Sequence, residues 1–333
     1  MLNRFRRNAS ALAQSDRIAN HFEPPAPLRT PVLFLVFNRP DTTAQVFEAI
    51  RNARPPRLYI GADGPREGRE GEAETVAEVR RIASAVDWPC DVKTLFRDRN
   101  LGCRDAPSGA IDWFFEHEEQ GIILEDDCLP AQGFFWFCEE MLERYYADTR
   151  IWQISGTMFF PGAITDKKAD YIYSRYGPIW GWATWRRAWK NYDVHLSEWP
   201  KMKQSDLLTR VYPHRAEASS KLRVGKLLYE KKLDAWDYQW AIIKSFNSAL
   251  TVVPRCNMIV NIGFDGFATH TLNKPSDAPT KNHNLLAPYR GPSFFLRDVG
   301  HDDKYAKAKF RRMGIIPRVL VKLRDHLRVR GAL

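Results

Sequence analysis

The chain has 333 residues, 44% of them hydrophobic, and its 50 Lys and Arg against 40 Asp and Glu give a net charge of +10. This composition excludes disordered, collagen-like and disulfide-scaffold proteins, and the length suffices for one large domain or two coupled lobes. The five cysteines form no CxxC pair, so neither a disulfide framework nor a zinc knuckle is indicated, and a reducing compartment is expected.

The positive charge is concentrated at the two ends of the chain. Residues 1–30 carry +3 and residues 311–333 carry +6, which leaves only +1 for residues 31–310. Nucleic acid is not a predicted partner, because an enzyme that binds it would more often spread basic residues across its body. The N-terminus lacks the apolar stretch of a secretory signal, and no apolar run is long enough to span a bilayer. We therefore expect a cytoplasmic protein.

From residue 31 onward, short apolar runs alternate with amphipathic segments. Strands are predicted at 32–37, 58–60, 92–96 and 121–124, and helices between them, the last ending near His117. Asp41 or Thr42 is expected to cap the first helix, and the Gly- and Glu-rich segment 66–75 is expected to be a mobile loop. Strands that alternate with helices predict an α/β fold with a mostly parallel sheet.

Each predicted strand is followed by a polar loop. These loops contain Asn38 and Arg39, Asp63, the segment 97–104 with Arg104, and residues 125–127. In parallel sheets the ligand lies beyond the carboxyl ends of the strands, so the four loops are predicted to converge on one binding edge.

Three consecutive carboxylates, Glu125, Asp126 and Asp127, follow the fourth predicted strand. Like charges so close together repel each other, and a divalent cation is the usual reason to assemble them. If strand geometry continues, Glu125 and Asp127 project to one side and Asp126 to the other. The alternative is a solvated turn that caps the next helix.

Residues 122–130 (IILEDDCLP) and 133–137 (GFFWF) resemble the metal-binding segment of the N-acetylglucosaminyltransferase I family. The bacterial sugar transferases often labelled hemolytic-protein-like are more similar still. They share the motifs at residues 36–40, 63–64, 100–102, 181–182 and 261–263, in this order. The resemblance covers roughly residues 31–270, and its strength is the order of several motifs that are individually weak.

The resemblance implies a glycosyltransferase A fold, in which a Rossmann-like half binds a nucleotide-diphospho-sugar and Mn²⁺ or Mg²⁺ bridges the diphosphate. If the roles of the matching residues in the family apply here, Asp127 is the metal ligand, and Asp126 and Glu125 hold the ribose or the donor sugar. Asp63 contacts the nucleobase, uracil favoured, and Arg39 contacts the nucleotide or its phosphates. Asn38 and Arg104 complete the predicted nucleotide-sugar site. For Asp63 the alternative is a common turn pair, and for Arg39 a surface salt bridge.

Inverting sugar transfer needs a base that takes the proton of the acceptor hydroxyl. The segment 234–240 (DAWDYQW) resembles the helix start that carries the base in the family, which favours Asp237 and leaves Asp234 in reserve. Either residue could instead only cap a helix. Trp182, which matches the family's Gly-Trp pair, is predicted to contact the donor. His270 ends a Gly-rich loop and is predicted to complete the metal shell or to bind the diphosphate, although an isolated His is more often structural.

The expected organisation is a basic segment at 1–30, a Rossmann-like half at 31–160, an irregular acceptor-binding and catalytic half at 161–300, and a basic amphipathic C-terminal helix in the tail at 301–333. Apolar residues at helical spacing in the tail indicate a helix that lies on an anionic membrane, or one that packs on the body. The predicted activity is metal-dependent glycosyl transfer to a glycan or lipid-linked glycan, in bacterial surface polysaccharide or glycoconjugate synthesis at the inner face of the cytoplasmic membrane.

Other nucleotide-binding classes lack their sequence signatures. The loop after the first strand is not GxGxxG, and no GxxxxGK[ST] motif exists, so a dehydrogenase and a Walker-type phosphotransferase are excluded. A nucleotidyltransferase shares much of the architecture but normally starts with a Gly-rich loop, which is missing. A membrane-surface module that binds sugar nucleotides without transferring sugar stays an alternative.

Overall fold

The structure, a computed structural model, describes residues 17–264 and 278–310. The strands are β1 (Ile18–Ala19), β2 (Val32–Val36), β3 (Arg57–Ala62), β4 (Asp91–Phe96), β5 (Gln120–Glu125), β6 (Cys128–Pro130), β7 (Ile151–Ser155), β8 (Tyr171–Ser174), β9 (Trp182–Trp185), β10 (Leu250–Pro254), β11 (Ile259–Asn261) and β12 (Asn284–Leu285). The helices are α1 (Pro40–Ala53), α2 (Glu72–Ala83), α3 (Gly102–His117), α4 (Gly133–Arg144), α5 (Arg186–Trp189), α6 (Trp199–Met202), α7 (Ser205–Val211), α8 (Arg215–Tyr229), α9 (Asp237–Phe246) and α10 (Val299–Lys309).

Eight strands form one central sheet in the order β4-β3-β2-β5-β9-β7-β10-β8. The first four are parallel to one another, as predicted, and β7 and β10 run in the same direction. Only β9 and β8 run antiparallel to their neighbours. The predicted α/β fold with a mostly parallel sheet is therefore confirmed. Strands β8, β9 and β10 extend the sheet beyond residue 160, so both predicted halves share it.

Alternating side chains of the buried strands supply two cores, one on each face of the sheet. On β2, Phe34 lies in the core beneath α1, α2 and α4, whereas Leu33 and Leu35 lie in the core beneath α3, α5 and α9. This alternation follows from the period of two in an extended strand. The second core is rich in tryptophan, and Trp182 and Trp240 are among its fully buried rings.

Two local predictions in the first half are wrong. Neither Asp41 nor Thr42 caps α1, because the helix already begins at Pro40, whose fixed φ suits the first helical position. The N-cap residue is Arg39, and its side chain makes no capping hydrogen bond to the helix. The segment 66–75 is not all loop, because α2 begins at Glu72. The Glu72 side chain is buried and paired with Arg66, a contact that stabilises this helix start.

None of the helices within the described ranges is long and apolar enough to cross a membrane. The predicted amphipathic helix of residues 311–333 lies outside the described residues.

Candidate functional site

A cleft of about 490 Å³ lies at the carboxyl ends of β2, β3, β4 and β5. This volume is in the range of small-molecule binding sites. The four predicted post-strand loops do converge here, and the rest of the lining comes from the start of α3, the turn before α9 and the segment after β11. The polar or charged residues that line it include Asn38, Arg39, Asp63, Arg66, Arg97, Asn100, Glu125, Asp126, Asp127, Asp234, Asp237 and Asn261.

The three consecutive carboxylates all line this cleft. The expected alternation of their side chains does not occur, because β5 ends at Glu125 and a turn at 126–127 leads directly into β6. The Asp126 carboxylate accepts a hydrogen bond from the amide of Phe37 at 3.2 Å. Glu125 Oε1 is buried and has no hydrogen-bond partner within the described residues. An unpaired buried carboxylate oxygen is costly, so this atom is suited to a ligand or a cation.

Arg39 neutralises part of this negative charge. Its Nη1 lies 2.9 Å from Asp127 Oδ2 and 3.8 Å from Asp126 Oδ1. Burial is the main reason that the pKa of Asp126 is raised to about 7 and that of Glu125 well above its usual value, and the neighbouring carboxylates raise both further. Arg39 opposes both shifts. The raised pKa values show that the site disfavours the charged forms of Glu125 and Asp126 unless a further positive charge lies beside them, so a bound cation would favour their ionisation.

The chain after β11 closes against the Asp127–Arg39 pair. Ile262 donates its amide hydrogen to the Asp127 carbonyl oxygen at 2.8 Å, which continues the pairing of β11 with β6. A Cβ on Gly263 would lie 2.5 Å from Asp127 Oδ2 and 2.8 Å from Arg39 Nη1. Glycine at this position thus lets the backbone approach the charged pair. His270, the predicted second metal ligand, lies outside the described residues.

Asp63 organises the loop before α3. Its Oδ1 accepts hydrogen bonds from the amides of Gly64 and Leu101, both at 2.9 Å, and its Oδ2 accepts from Asn100 Nδ2 at 2.8 Å and from the Gly102 amide at 3.2 Å. Burial raises the pKa of Asp63, while these amides and Arg97 lower it. The contact with a nucleobase stays a prediction. What the structure shows is that Asp63 fixes one wall of the cleft.

Two further predicted donor contacts differ in their surroundings. Asn38 lines the cleft and donates from Nδ2 to Glu72 Oε1 at 3.0 Å. Arg104 instead turns to Asp105, with Nη2 2.7 Å from Oδ2, and does not line the cleft. The predicted role of Arg104 in donor binding therefore has no support in this geometry, because the adjacent carboxylate already binds its guanidinium.

The two candidate bases line the cleft at the turn before α9 and at the start of that helix. Asp237 is the first residue of α9, and its charge raises the pKa of both Glu125 and Cys103, so it acts electrostatically across the cleft. Asp234 accepts hydrogen bonds from the amides of Cys103 at 2.9 Å and Arg104 at 2.8 Å. It therefore satisfies two otherwise unpaired donors in the first turn of α3.

No protein-family model matches this sequence, and no curated protein matches it. Solved structures with similar folds include PcManGT, a mannosyltransferase from Pyrobaculum calidifontis in complex with GDP-Man and Mn²⁺, at 12% identity over 68% of this chain and 75% of that chain, with a TM-score of 0.36. Mouse xyloside xylosyltransferase 1 is 10% identical over 66% of this chain and 82% of its own, with a TM-score of 0.33. A UDP-glucose pyrophosphorylase complexed with UDP-glucose is 7% identical over 68% of this chain and 90% of its own, with a TM-score of 0.34. These similarities assign no role to individual residues.

The predicted contact of Trp182 with the donor requires correction. Its ring is fully buried in the core and stacks on Trp236, with ring centroids 5.7 Å apart, so a ligand in the cleft cannot reach it. Trp180, two residues earlier, is half-buried and lines the cleft, where its ring lies 5.8 Å from that of Phe264. Of these two tryptophans, it is therefore Trp180 and not the predicted Trp182 that lines the cleft.

Several cleft residues were not singled out from the sequence. Arg66 lies in a Gly- and Glu-rich stretch, and the structure shows that it lines the cleft. It forms an ion pair with Glu72 and lowers the pKa of that carboxyl to about 2. Tyr238 follows Asp237 and lines the cleft as well, and no local pattern in the sequence indicates this role.

Proposed function

We propose that this protein is a metal-dependent glycosyltransferase that moves a sugar from a nucleotide-diphospho-sugar, UDP-sugar favoured, to a hydroxyl of a glycan acceptor with inversion. The observation that carries the proposal is the convergence of the acidic triplet, Arg39 and Asp237 in one cleft at the strand ends. These are the positions at which the resemblance to glycosyltransferase A-fold enzymes places metal, diphosphate and base.

The donor set of the triplet fits a hard divalent cation. Among the described residues no group of three or more His, Cys, Asp or Glu side chains is arranged as a metal site. Mg²⁺ and Mn²⁺, however, are often held by one or two carboxylates together with substrate phosphates and water. Asp127 is the proposed ligand, and Asp126 and the unpaired Glu125 Oε1 lie beside it, where a cation would favour the ionised form of both carboxyls. When bound, the cation would stabilise the charge that develops on the leaving nucleoside diphosphate.

Arg39 is the proposed partner of the donor phosphates. Its side chain reaches Asp127 from the loop after β2 and is largely buried at the base of the cleft. A cation on Asp127 would compete with this ion pair, which would free the guanidinium to bind phosphate oxygens in a bidentate manner. Asp63 supports the same end of the site, because it fixes the 100–102 loop against which the nucleobase would lie.

Asp237 is the proposed base. The carboxylate stands at the start of α9 and lines the cleft close enough to Glu125 to raise its pKa, so it can accept the proton of an acceptor hydroxyl that enters the cleft. Asp234 is less suited, because both of its oxygens accept backbone hydrogen bonds from α3. Its proposed role is to hold the first turn of α3 against the cleft.

The test is a panel of UDP- and GDP-sugars incubated with the full-length protein and Mn²⁺, Mg²⁺ or EDTA. Thermal stabilisation reports binding, and release of nucleoside diphosphate reports donor cleavage. We expect metal-dependent binding and slow hydrolysis of one donor, and Asp127→Asn should lose both while its circular dichroism is unchanged. Asp206→Asn, which neutralises an exposed carboxylate of α7, is the matched control and should behave as wild type.

Other outcomes would contradict the proposal. Binding that survives EDTA, or that is unchanged in Asp127→Asn, removes the assigned metal ligand. Formation of UTP from a UDP-sugar and pyrophosphate would identify a nucleotidyltransferase. Tight metal-dependent binding without cleavage or transfer to any acceptor would identify a binding module, and a product that retains the anomeric configuration of the donor would exclude single displacement.

A further inference from the structure

A basic surface surrounds helix α8, in the second half of the chain. Residues 199–233, which contain α6, α7 and α8, have nine Lys and Arg against three Asp and Glu, a net charge of +6. Residues 31–310 as a whole carry only +1, so the remainder of that range is negative. The positive charge of the body is thus concentrated in one helical segment.

Most of these charges face solvent. The exposed basic side chains are Lys201, Lys203, Arg210, Arg215, Arg223, Lys226, Lys231 and Lys232. Of the three acidic residues, Glu217 is buried and ion-paired with Arg175, which leaves only Asp206 and Glu230 at the surface. Glu230 pairs with two lysines: its Oε2 lies 2.7 Å from Lys232 Nζ, and its Oε1 lies 3.7 Å from Lys226 Nζ. The surface therefore has a large excess of positive charge.

Two large apolar side chains are exposed among these charges. Leu222 is 44% exposed and Tyr229 is 46% exposed. With Arg215 and Lys226 they follow the helical spacing of one face of α8. Another side of α8 is buried, and there Gly225 lies against the ring of Trp199, where a Cβ would be 2.2 Å from the nearest ring atom. Leu222 and Tyr229 therefore present apolar surface that the body leaves partly uncovered.

This face adjoins the cleft. The chain runs from α8 directly into Leu233 and Asp234, which line the cleft, and α8 contacts α9. Tyr238 on α9 lines the cleft as well and is 40% exposed. The positive charge of Arg223 on α8 acts on the Tyr238 hydroxyl. The basic face of α8 thus lies close to the cleft, with Arg223 near the cleft-lining Tyr238.

We propose that this α8 surface, the exposed face of α8 with the basic side chains of residues 199–233, docks on an anionic lipid bilayer. Lys and Arg at a membrane interface pair with lipid phosphates, while Leu and Tyr beside them enter the headgroup region. A polyanion in water, such as RNA, would satisfy the charges but leave Leu222 and Tyr229 without an apolar environment. Docking would hold the mouth of the cleft beside the membrane. The inference requires neither sugar transfer nor a metal.

The test is co-sedimentation of the full chain with vesicles of phosphatidylcholine alone or mixed equally with phosphatidylglycerol. Arg215→Gln, Arg223→Gln and Lys226→Gln are combined in a charge variant, and Leu222→Ser and Tyr229→Ser in an apolar variant. The control combines Arg54→Gln, Arg69→Gln and Arg81→Gln, which removes three exposed charges from a different region. The basic residues of 311–333 are retained in every variant, so they do not account for differences between them.

The wild type should partition onto the phosphatidylglycerol vesicles and be released by salt. Each basic residue near an anionic surface contributes enough attraction that the charge variant should partition at least about tenfold more weakly. The apolar variant should lose binding in part and become more sensitive to salt, and the control should stay within about twofold of wild type. Equal loss in the charge variant and the control, equal binding to phosphatidylcholine alone, or α8-dependent binding to RNA but not to vesicles would each overturn the proposal.

Discussion

The two walls of the cleft are built in different ways. On the strand-end wall, the functional side chains follow β2, β3 and β5, and they are held by the backbone of neighbouring strands and loops, as when Phe37 donates its amide to Asp126. The second wall is formed by the turn before α9 and the first residue of that helix, where Asp234 and Asp237 stand three residues apart and both oxygens of Asp234 accept amide hydrogen bonds from α3. Position along a strand therefore determines the first wall, whereas packing between distant segments determines the second.

This difference separates the proposed roles of the residues. A carboxylate whose oxygens already accept amide hydrogen bonds stabilises structure, and its removal should lower the free energy of unfolding. A carboxylate that faces the ligand space should affect turnover with little effect on stability. The variants below compare the effects on turnover and on stability for residues of these two classes.

The largest expected effect is on turnover, in Asp237→Asn. If Asp237 is the base, the variant should transfer sugar roughly 10²–10⁴-fold more slowly, the usual range for the loss of a general base, with donor affinity little changed. Steady-state kinetics with the identified donor and acceptor, together with donor binding by calorimetry, measure both quantities. Normal turnover in Asp237→Asn would show that Asp237 is not the base. The proposed difference in role between Asp237 and Asp234 would then be wrong.

Trp182 and Trp180 offer a comparison at the edge of the second wall. Trp182 is fully buried between Trp236 and Trp240, so Trp182→Ala should destabilise the protein by about 3–5 kcal/mol. Trp180 lines the cleft and is half-buried, so Trp180→Ala should cost less stability and weaken ligand binding more. Urea denaturation and calorimetric titration measure the two effects. The reverse pattern would mean that the ligand reaches the tryptophan core.

The sequence predicts the first wall well because its signals are local. Each apolar run that forms a buried strand is followed by polar residues, so the convergence of Asp63 and Asp127 follows from parallel strand order alone. The second wall depends on contacts between residues that are far apart. Asp234 binds amides 130 and 131 residues earlier in the chain, and nothing in the spacing of residues 234–240 indicates which of the two aspartates does so.

The dependence on contacts between distant residues also explains the predictions that were wrong for Trp182 and for the segment 66–75. Trp180 and Trp182 are the same residue type two positions apart, and the local sequence does not distinguish them. Only the folded structure shows that Trp180 lines the cleft and Trp182 lies in the core. Glu72 lies in a stretch whose Gly and Glu content favours a loop, but its ion pair with Arg66 and its bond from Asn38 stabilise a helix start. Tertiary contacts outweigh local preference at both positions.

We expect the free energy of unfolding to depend on pH through Lys244, a buried residue in α9. Lys244 is buried and donates to Gln153 Oε1 at 2.7 Å, and burial lowers its pKa to about 7. The unfolded chain keeps this proton up to about pH 10. Between pH about 7 and 10 the unfolded state therefore binds more protons, and the free energy of unfolding should rise by roughly 1 kcal/mol per pH unit.

Urea denaturation of wild type and Lys244→Met across this pH range tests the effect, because the variant lacks the titrating group. The stability difference between the two proteins should change with pH in the stated direction, with wild type gaining relative to the variant as pH rises. Parallel pH profiles would show that Lys244 keeps its proton in the folded protein and that its hydrogen bonds to Gln153 and Thr251 compensate for burial.

The smallest expected effect distinguishes the two aspartates most directly. Asp234→Ala removes the acceptors for two amides at the start of α3, where Gly102, at a φ of 83°, brings the backbone so close that a Cβ would lie 2.6 Å from Asp234 Oδ2. Loss of a helix cap costs about 0.5–2 kcal/mol, so the variant should be less stable while turnover changes only a few-fold. Asp193→Ala, which removes a comparable acceptor for the amides of His195 and Ser197 outside the cleft, is the control for stability alone. If Asp234→Ala instead slowed transfer as much as Asp237→Asn and left the urea midpoint unchanged, Asp234 would be the base, and its bonds to α3 would have to break when the acceptor binds.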